Sequence, residues 1–288
     1  MSGAPAPGGH ESSIAVPAPR TARQGPAIEL RDVSLDYRGR PALRGVSVAI
    51  GAGERIALIG PNGAGKSSLL RCVAGVARGR RGHVLIGGVP VEELSREAVA
   101  RRVAVVPQLA ALPFAARVDE VVALGRLPHE HPFFGLRDVD RRAVRAAIER
   151  VGIAHLAARD ARELSLGERQ LVLLAMAVAQ DAAHLLLDEP TVHLDLRHQV
   201  ATMELLAGLN ERDGVTVLAV LHDVSLAAHF FPRLVVLDAG AIMADGTPDE
   251  VLTDALVRDV FGVDPALVRR PWRRPEAGIG RGPDAGIG

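Results

Sequence analysis

Gly60-Pro61-Asn62-Gly63-Ala64-Gly65-Lys66-Ser67 follows the apolar run Ile56-Ala-Leu-Ile59 and leads into Ser68-Leu-Leu-Arg-Cys-Val73. The order is buried strand, glycine loop, helix start, the setting a phosphate-binding loop requires. Gly60, Gly63 and Gly65 let backbone N–H groups turn inward around an anion, and the helix that begins near Ser68 adds its positive end. Lys66 is placed to bridge the outer phosphates, and the Ser67 hydroxyl to hold a magnesium ion. Lys66 is also the chain's only lysine; every other one of the 34 Lys and Arg positions is arginine. A compact, strongly hydrated ammonium has been kept at this one place. The stretch is expected to bind a nucleoside triphosphate.

The chain has 288 residues, 48% of them hydrophobic, with formal net charge zero. That is length enough for one large domain or two small ones. Zero net charge does not indicate a broad basic field, so nucleic acid is not an expected partner. The single cysteine, Cys72, excludes an internal disulfide and reads as a small buried apolar residue. The longest apolar helix candidate, Leu171 to Ala179, stops at Gln180-Asp181, short of a membrane span. No basic start followed by an apolar core opens the chain, so no secretion signal is expected. Any membrane role is expected to come through a partner.

Outward from the loop, the pattern alternates. Ala27 to Tyr37 gives a broken alternation, read as a strand with a bulge or turn, and Val46 to Ile50 and Arg55 to Ile59 read as further strands. His83 to Ile86 and Val103 to Val106 are strands, with a helix over Ser95 to Arg102 between them. From about 109 to 165 the character turns helical, most clearly over Val118–Leu124 and Val139–Val151, as an insertion in an α/β core. The core resumes with a helix from Glu168, a strand His184–Asp188, a helix Leu196–Arg212, a strand Val215–Leu221, a short helix Ser225–His229 and a strand Leu234–Leu237. Thr247-Pro-Asp-Glu250 is a capping box with proline at the first helical position. The fold expected is α/β, a mainly parallel sheet covered on both faces, with an N-terminal antiparallel β region and a helical subdomain. Residues 1–26, with five prolines, read as a disordered leader, and 269–288 as a Pro/Gly-rich tail carrying Trp272.

His184-Leu-Leu-Leu-Asp188-Glu189 is an apolar strand ending in two carboxylates. Such an end sits beside the glycine loop at the carboxyl edge of the sheet. Asp188 is placed to orient a magnesium ion's water shell and Glu189 to polarise an attacking water. His129 and His131 have metal-ligand chemistry, but Pro128 and Pro132 flank them and the stretch reads as a solvated loop.

From Ala27 to Val268 the chain resembles the nucleotide-binding subunits of ABC transporters. Leu164-Ser165-Leu166-Gly167-Glu168 is similar to that family's signature motif, Val192-His-Leu-Asp195 to its D-loop, His222 to its switch histidine, Gln108 to its Q-loop glutamine and Tyr37 to its adenine-stacking aromatic. The resemblance implies an Mg²⁺-dependent ATPase in which two copies clasp two ATP molecules head to tail. Each nucleotide would meet Lys66, Ser67 and Glu189 of one copy and Ser165 with Gly167 of the other. Gln108 and Asp188 would join Ser67 around the metal, and Glu168, Asp195 and Ser68 would belong to the nucleotide site. Ser165 precedes a helix whose free N–H groups would face the γ-phosphate. Leu166 departs from the family's usual glycine and could crowd the partner's nucleotide. A catalytically silent binding subunit is the reading that departure would motivate.

One set of motifs and no fused membrane segment imply a separate ATPase subunit. Val121–His129, Pro190–Gln199 and Val220–Ala228 resemble the subfamily serving iron–siderophore, haem and cobalamin importers. The resemblance implies integral membrane permease subunits as partners, a separate solute-binding protein, and a place on the cytoplasmic face of the membrane. The alternative is a soluble ABC ATPase with a regulatory or DNA-associated role.

Overall fold

The computed structural model of the chain describes residues 25–108, 115–129 and 135–268. The leader up to residue 24, the tail from 269 with Trp272, and His131 lie outside the described residues.

Six strands build the central sheet, in the order β10 (Ala241–Gly246), β9 (Arg233–Asp238), β3 (Arg55–Ile59), β8 (Thr216–Val220), β7 (His184–Asp188) and β6 (Val103–Val106). All neighbours are parallel except β9 and β10. Because the strands are covered on both faces, their near-continuous apolar runs divide by a period of two. Ile56 and Leu58 of β3 enter one core, while Ala57 and Ile59 enter the other. Leu218 and Val220 of β8 likewise oppose Val217 and Ala219.

The first core is closed by a four-stranded antiparallel sheet, ordered β2 (Arg40–Ile50), β1 (Ile28–Tyr37), β4 (Arg81–Ile86) and β5 (Val89–Pro90). Helix α1 (Lys66–Val73) lies between the two sheets and buries Leu69, Leu70, Cys72 and Val73 there. Burial pushes the Cys72 thiol up to about 11, so the residue is packing rather than chemistry. β1 is bulged, as its alternation foretells: its register against β2 shifts around Val33, and Asp32 takes φ 50.

Three features exceed the sequence reading. β2 begins at Arg40, six residues before Val46, because Arg38 and Gly39, both at positive φ, make a two-residue hairpin turn out of Tyr37. Ala239 and Gly240 repeat the device and start β10, a strand the sequence reading left out. β5 pairs with β4 through Val89 and was also left out.

Helix α2 (Arg96–Ala100) follows Ser95, which caps it, and leads to β6. The helical insertion contributes α3 (Val118–Ala123) and α4 (Asp138–Val151). They pack with α5 (Leu166–Ala179), which has two working faces. Leu173, Leu174 and Ala177 meet the central sheet, while Val172, Ala175 and Ala179 meet Val118, Val121, Val144 and Ile148 of the insertion. Helices α6 (Leu196–Asp213) and α7 (Val224–Phe230) complete the second face of the sheet through Met203, Leu206, Leu226 and Ala227.

The joint between insertion and core is polar and buried. Gly125 lies against α5 so closely that a Cβ would stand 2.1 Å from the Met176 carbonyl. That approach lets Arg126 donate to the Ala179 carbonyl at 2.8 Å and to Asp140 Oδ1 at 3.0 and 3.1 Å. His129 is a correction to the solvated-loop reading. It ends a 3₁₀ helix, Leu124–His129, and its Nε2 lies 2.8 Å from the carbonyl of Gln180. The Gln180 amide in turn donates to the Val103 carbonyl at the start of β6.

Candidate active site

Four adjacent parallel strands end at one place. Beyond β3 stands Gly60, beyond β8 His222, at the end of β7 Asp188 with Glu189 following, and beyond β6 Gln108. Sheet order alone brings together residues that the chain separates widely. The crevice outside the carboxyl ends of parallel strands is where open α/β sheets bind ligands.

The loop is held from behind by the two hairpins. At Gly60, φ is 146 and a Cβ would stand 1.9 Å from the Leu237 carbonyl of β9. At Gly65, φ is 103 and a Cβ would stand 2.3 Å from the Ala42 carbonyl of β2. Gly240 N–H donates to the Ala64 carbonyl at 3.0 Å. Gly63, also at positive φ, has open space around it. The first two glycines are therefore required by the fold and the third only by its backbone conformation.

Gly65 also caps α1, in the left-handed conformation and without any side-chain hydrogen bond, and the first turn holds no acid. The free N–H groups of that turn are left for an anion. A cavity of about 200 Å³ opens there, lined by Asn62, Gly63, Ala64, Lys66, Ser67 and Ser68, with Glu189 and His222 across it. Lys66 donates to the carbonyls of Gly60 and Pro61, both at 2.8 Å. Burial lowers its pKa, opposed by the charges of Glu189 and Asp188.

Ser67 Oγ donates to Asp188 Oδ1 at 3.0 Å, so two of the expected metal-binding oxygens already touch. Burial raises the Asp188 pKa against the Ser67 hydrogen bond, and the charge of Glu189 adds to the rise. Glu189 is 8% exposed and takes φ 55, an uncommon conformation for a residue with a side chain. Both its oxygens are engaged: Gln108 Nε2 donates to Oε2 at 2.5 Å, and His222 Nε2 pairs with Oε1. Gln108, expected beside the metal, thus contacts the general-base candidate here.

The remaining residues lie apart from this cavity. Tyr37 ends β1 at the hairpin tip, 41% exposed, on the same hairpin as Ala42. Ser165 caps α5: its Oγ accepts from Glu168 N–H, while Glu168 Oε2 accepts from Ser165 N–H and Oγ at 2.8 Å. Those bonds, with Arg159 beside it, hold the Glu168 carboxyl below its usual range. Gly167 packs on the D-loop, where a Cβ would meet the His193 carbonyl at 3.0 Å. Leu166, by contrast, is 50% exposed. Asp195 caps α6 by accepting from His198 N–H, which lowers its pKa.

The sequence profile of the family described as ABC transporter matches residues 43–192. The chain belongs to this family. It is 37% identical over 245 residues to the iron(3+)-hydroxamate import ATP-binding protein FhuC of Bacillus subtilis, covering 85% of this chain and 91% of that one. It is 46% identical over 224 residues to the hemin import ATP-binding protein HmuV of Streptomyces coelicolor, covering 77% and 79%. It is 42% identical over 245 residues to the cobalamin import ATP-binding protein BtuD of Halobacterium salinarum, covering 83% and 61%. Among solved structures, a dimeric ATP-binding cassette in a post-hydrolysis state with ADP and phosphate superposes with a TM-score of 0.69 at 26% identity, covering 77% and 98%. This ABC ATPase therefore shares the cassette fold of its solved neighbour. Sequence reasoning missed Arg126 and Asp140, whose pairing follows from a close helix approach that no local pattern announces.

Proposed function

We propose that this ATPase powers import of an iron chelate, haem or cobalamin from the cytoplasmic face of the membrane, as a homodimer bound to permease subunits. The observation that carries the ATPase is the convergence of Lys66, Ser67, Glu189 and His222 on the cavity over the N-terminus of α1, with Asp188 hydrogen-bonded to Ser67. The direction and cargo class rest on the names of the three relatives above. Among the described residues no helix is long and apolar enough to cross a membrane, and in this reading the permease subunits span it. A separate solute-binding protein completes the importer.

The chemistry follows from the residues. A triphosphate entering the cavity takes the N–H groups of the loop and the Lys66 ammonium, which exchanges the Gly60 and Pro61 carbonyls for phosphate oxygens. The Glu189 carboxylate faces the same cavity and Asp188 stands behind Ser67, and both would repel the triphosphate without a cation to neutralise them. The Ser67 hydroxyl and Asp188 carboxylate are hard oxygen donors suited to Mg²⁺, which when bound neutralises phosphate charge. Glu189, held at Oε1 by His222, accepts a proton from the attacking water at Oε2, the oxygen that Gln108 contacts. His222 also reaches toward the γ-phosphate. Ser165 and the first turn of α5 serve the partner copy's nucleotide, and Tyr37 stacks on adenine. Donors supplied from a second chain make hydrolysis depend on dimer closure.

The test is to tag the protein, extract native membranes in mild detergent with Mg-ATP, and identify what copurifies. A multi-span permease of the iron-chelate or cobalamin type supports the importer. A permease of another kind removes the cargo class, and a subunit free in the cytosol removes transport.

A further inference from the structure

We propose that Arg159 is a positioning residue of the composite ATP site. It neutralises Glu168 so that the first turn of α5 can receive a triphosphate from the partner copy. The proposal rests on the reading that this helix start meets the partner's nucleotide.

Glu168 is the third residue of α5 and its carboxylate accepts from both the N–H and the hydroxyl of Ser165. That bond network orders the helix start, but it has two costs for anion binding. A carboxylate stands within one turn of the N–H groups meant for phosphate, and like charges repel. The Ser165 hydroxyl is also directed at Glu168 rather than outward.

Arg159 answers the charge. Its Nη1 donates to Glu168 Oε1 at 3.1 Å, the oxygen that Ser165 does not use, and its Nη2 donates to the Glu163 carbonyl at 3.4 Å. The neighbouring guanidinium of Arg162 is committed to Asp160, at 2.7 and 3.1 Å, and Arg169 donates to the Arg162 carbonyl at 2.8 Å. Arg159 is therefore the cation that faces the Glu168 carboxylate among the described residues. By holding Oε1 it keeps Glu168 in place when the Ser165 hydroxyl turns to a phosphate oxygen. The charge at the helix start then sums to that of a neutral glutamine.

Steady-state ATPase assays and ATP-dependent dimerisation, on Arg159→Ala, Glu168→Gln and the double variant, decide the matter. Arg159→Ala should raise the ATP concentration for half-maximal turnover about 3- to 10-fold, with a smaller change in kcat, as a half-exposed charge pair permits. The increase should shrink at high salt. In the double variant, Glu168→Gln should bring that concentration back to within about twofold of Glu168→Gln alone. Arg159→Lys should recover part of the loss. Wild-type behaviour of Arg159→Ala overturns the proposal. So does a loss that Glu168→Gln fails to restore, since Arg159 would then serve only the loop through the Glu163 carbonyl. A Glu189→Gln protein that stays monomeric with Mg-ATP instead overturns the dimer reading, and this inference with it.

Discussion

His222 Nε2 and Glu189 Oε1 are paired across the ends of neighbouring strands β8 and β7, at the mouth of the loop cavity. With Gln108 on its other oxygen, the Glu189 carboxylate is held from both sides, with one lone pair of each oxygen left to face a water. His222→Ala removes the group that keeps the carboxylate aimed. Turnover should fall by about a hundredfold while ATP affinity changes little, which is the effect of a mispositioned base. ATPase rates beside fluorescent-nucleotide titrations make the separation.

The glycines of the loop should differ sharply. Gly60→Ala drives a methyl group into the Leu237 carbonyl and should cost several kcal/mol, separating β3 from β9. Gly63→Ala meets open space and should cost only about 1 to 2 kcal/mol, for its positive φ. Thermal melts of the two variants without nucleotide test the contrast.

Asp140 is buried and paired with Arg126, so single replacements strand a charge. Arg126→Met or Asp140→Asn should each destabilise by about 3 to 5 kcal/mol, and the double variant by less than either. Burial alone would raise the Asp140 pKa, but the Arg137 N–H and the Arg126 guanidinium together hold it below the usual carboxylate range. A lowered carboxyl contributes its stability above its unfolded pKa and loses it as pH falls through the folded value. Denaturant midpoints measured from pH 5 down to pH 2 should therefore fall more steeply for the wild type than for Asp140→Asn.

Cys72, wholly buried and with its thiol pushed to about 11, should resist alkylation at pH 8 in the native protein and react once the chain unfolds. Alkylation rates in native buffer and in denaturant report this directly.

The parts of the site that could be read from sequence are those built by local chain chemistry. Gly60 to Ser67 carries its own turn and helix start, and the apolar run before Asp188, closed by two carboxylates, reads as a buried strand. Even the bulge in β1 shows as a break in alternation. β10 could not be read because Ala-Ile-Met-Ala-Asp-Gly has weak strand propensity and is half exposed; its place comes from the Ala239-Gly240 turn and pairing with β9. The Arg126–Asp140 pair escaped for a related reason. It depends on Gly125 approaching α5 across the fold, and His129 looks like a loop residue until Gln180 is beside it. Gly167 likewise reads as part of a motif, yet the contact that requires it is the His193 carbonyl.

The most direct measurement is made on Glu189→Gln, by sedimentation velocity with and without Mg-ATP beside a turnover assay. The carboxylate lost is the proposed general base, and the amide keeps its shape in the pocket. Turnover should fall by about two to four orders of magnitude, and ATP should convert the monomer into a stable dimer holding two nucleotides. A variant that still hydrolyses ATP at the wild-type rate, or stays monomeric with saturating Mg-ATP, would contradict the assignment of Glu189 and the shared site it serves.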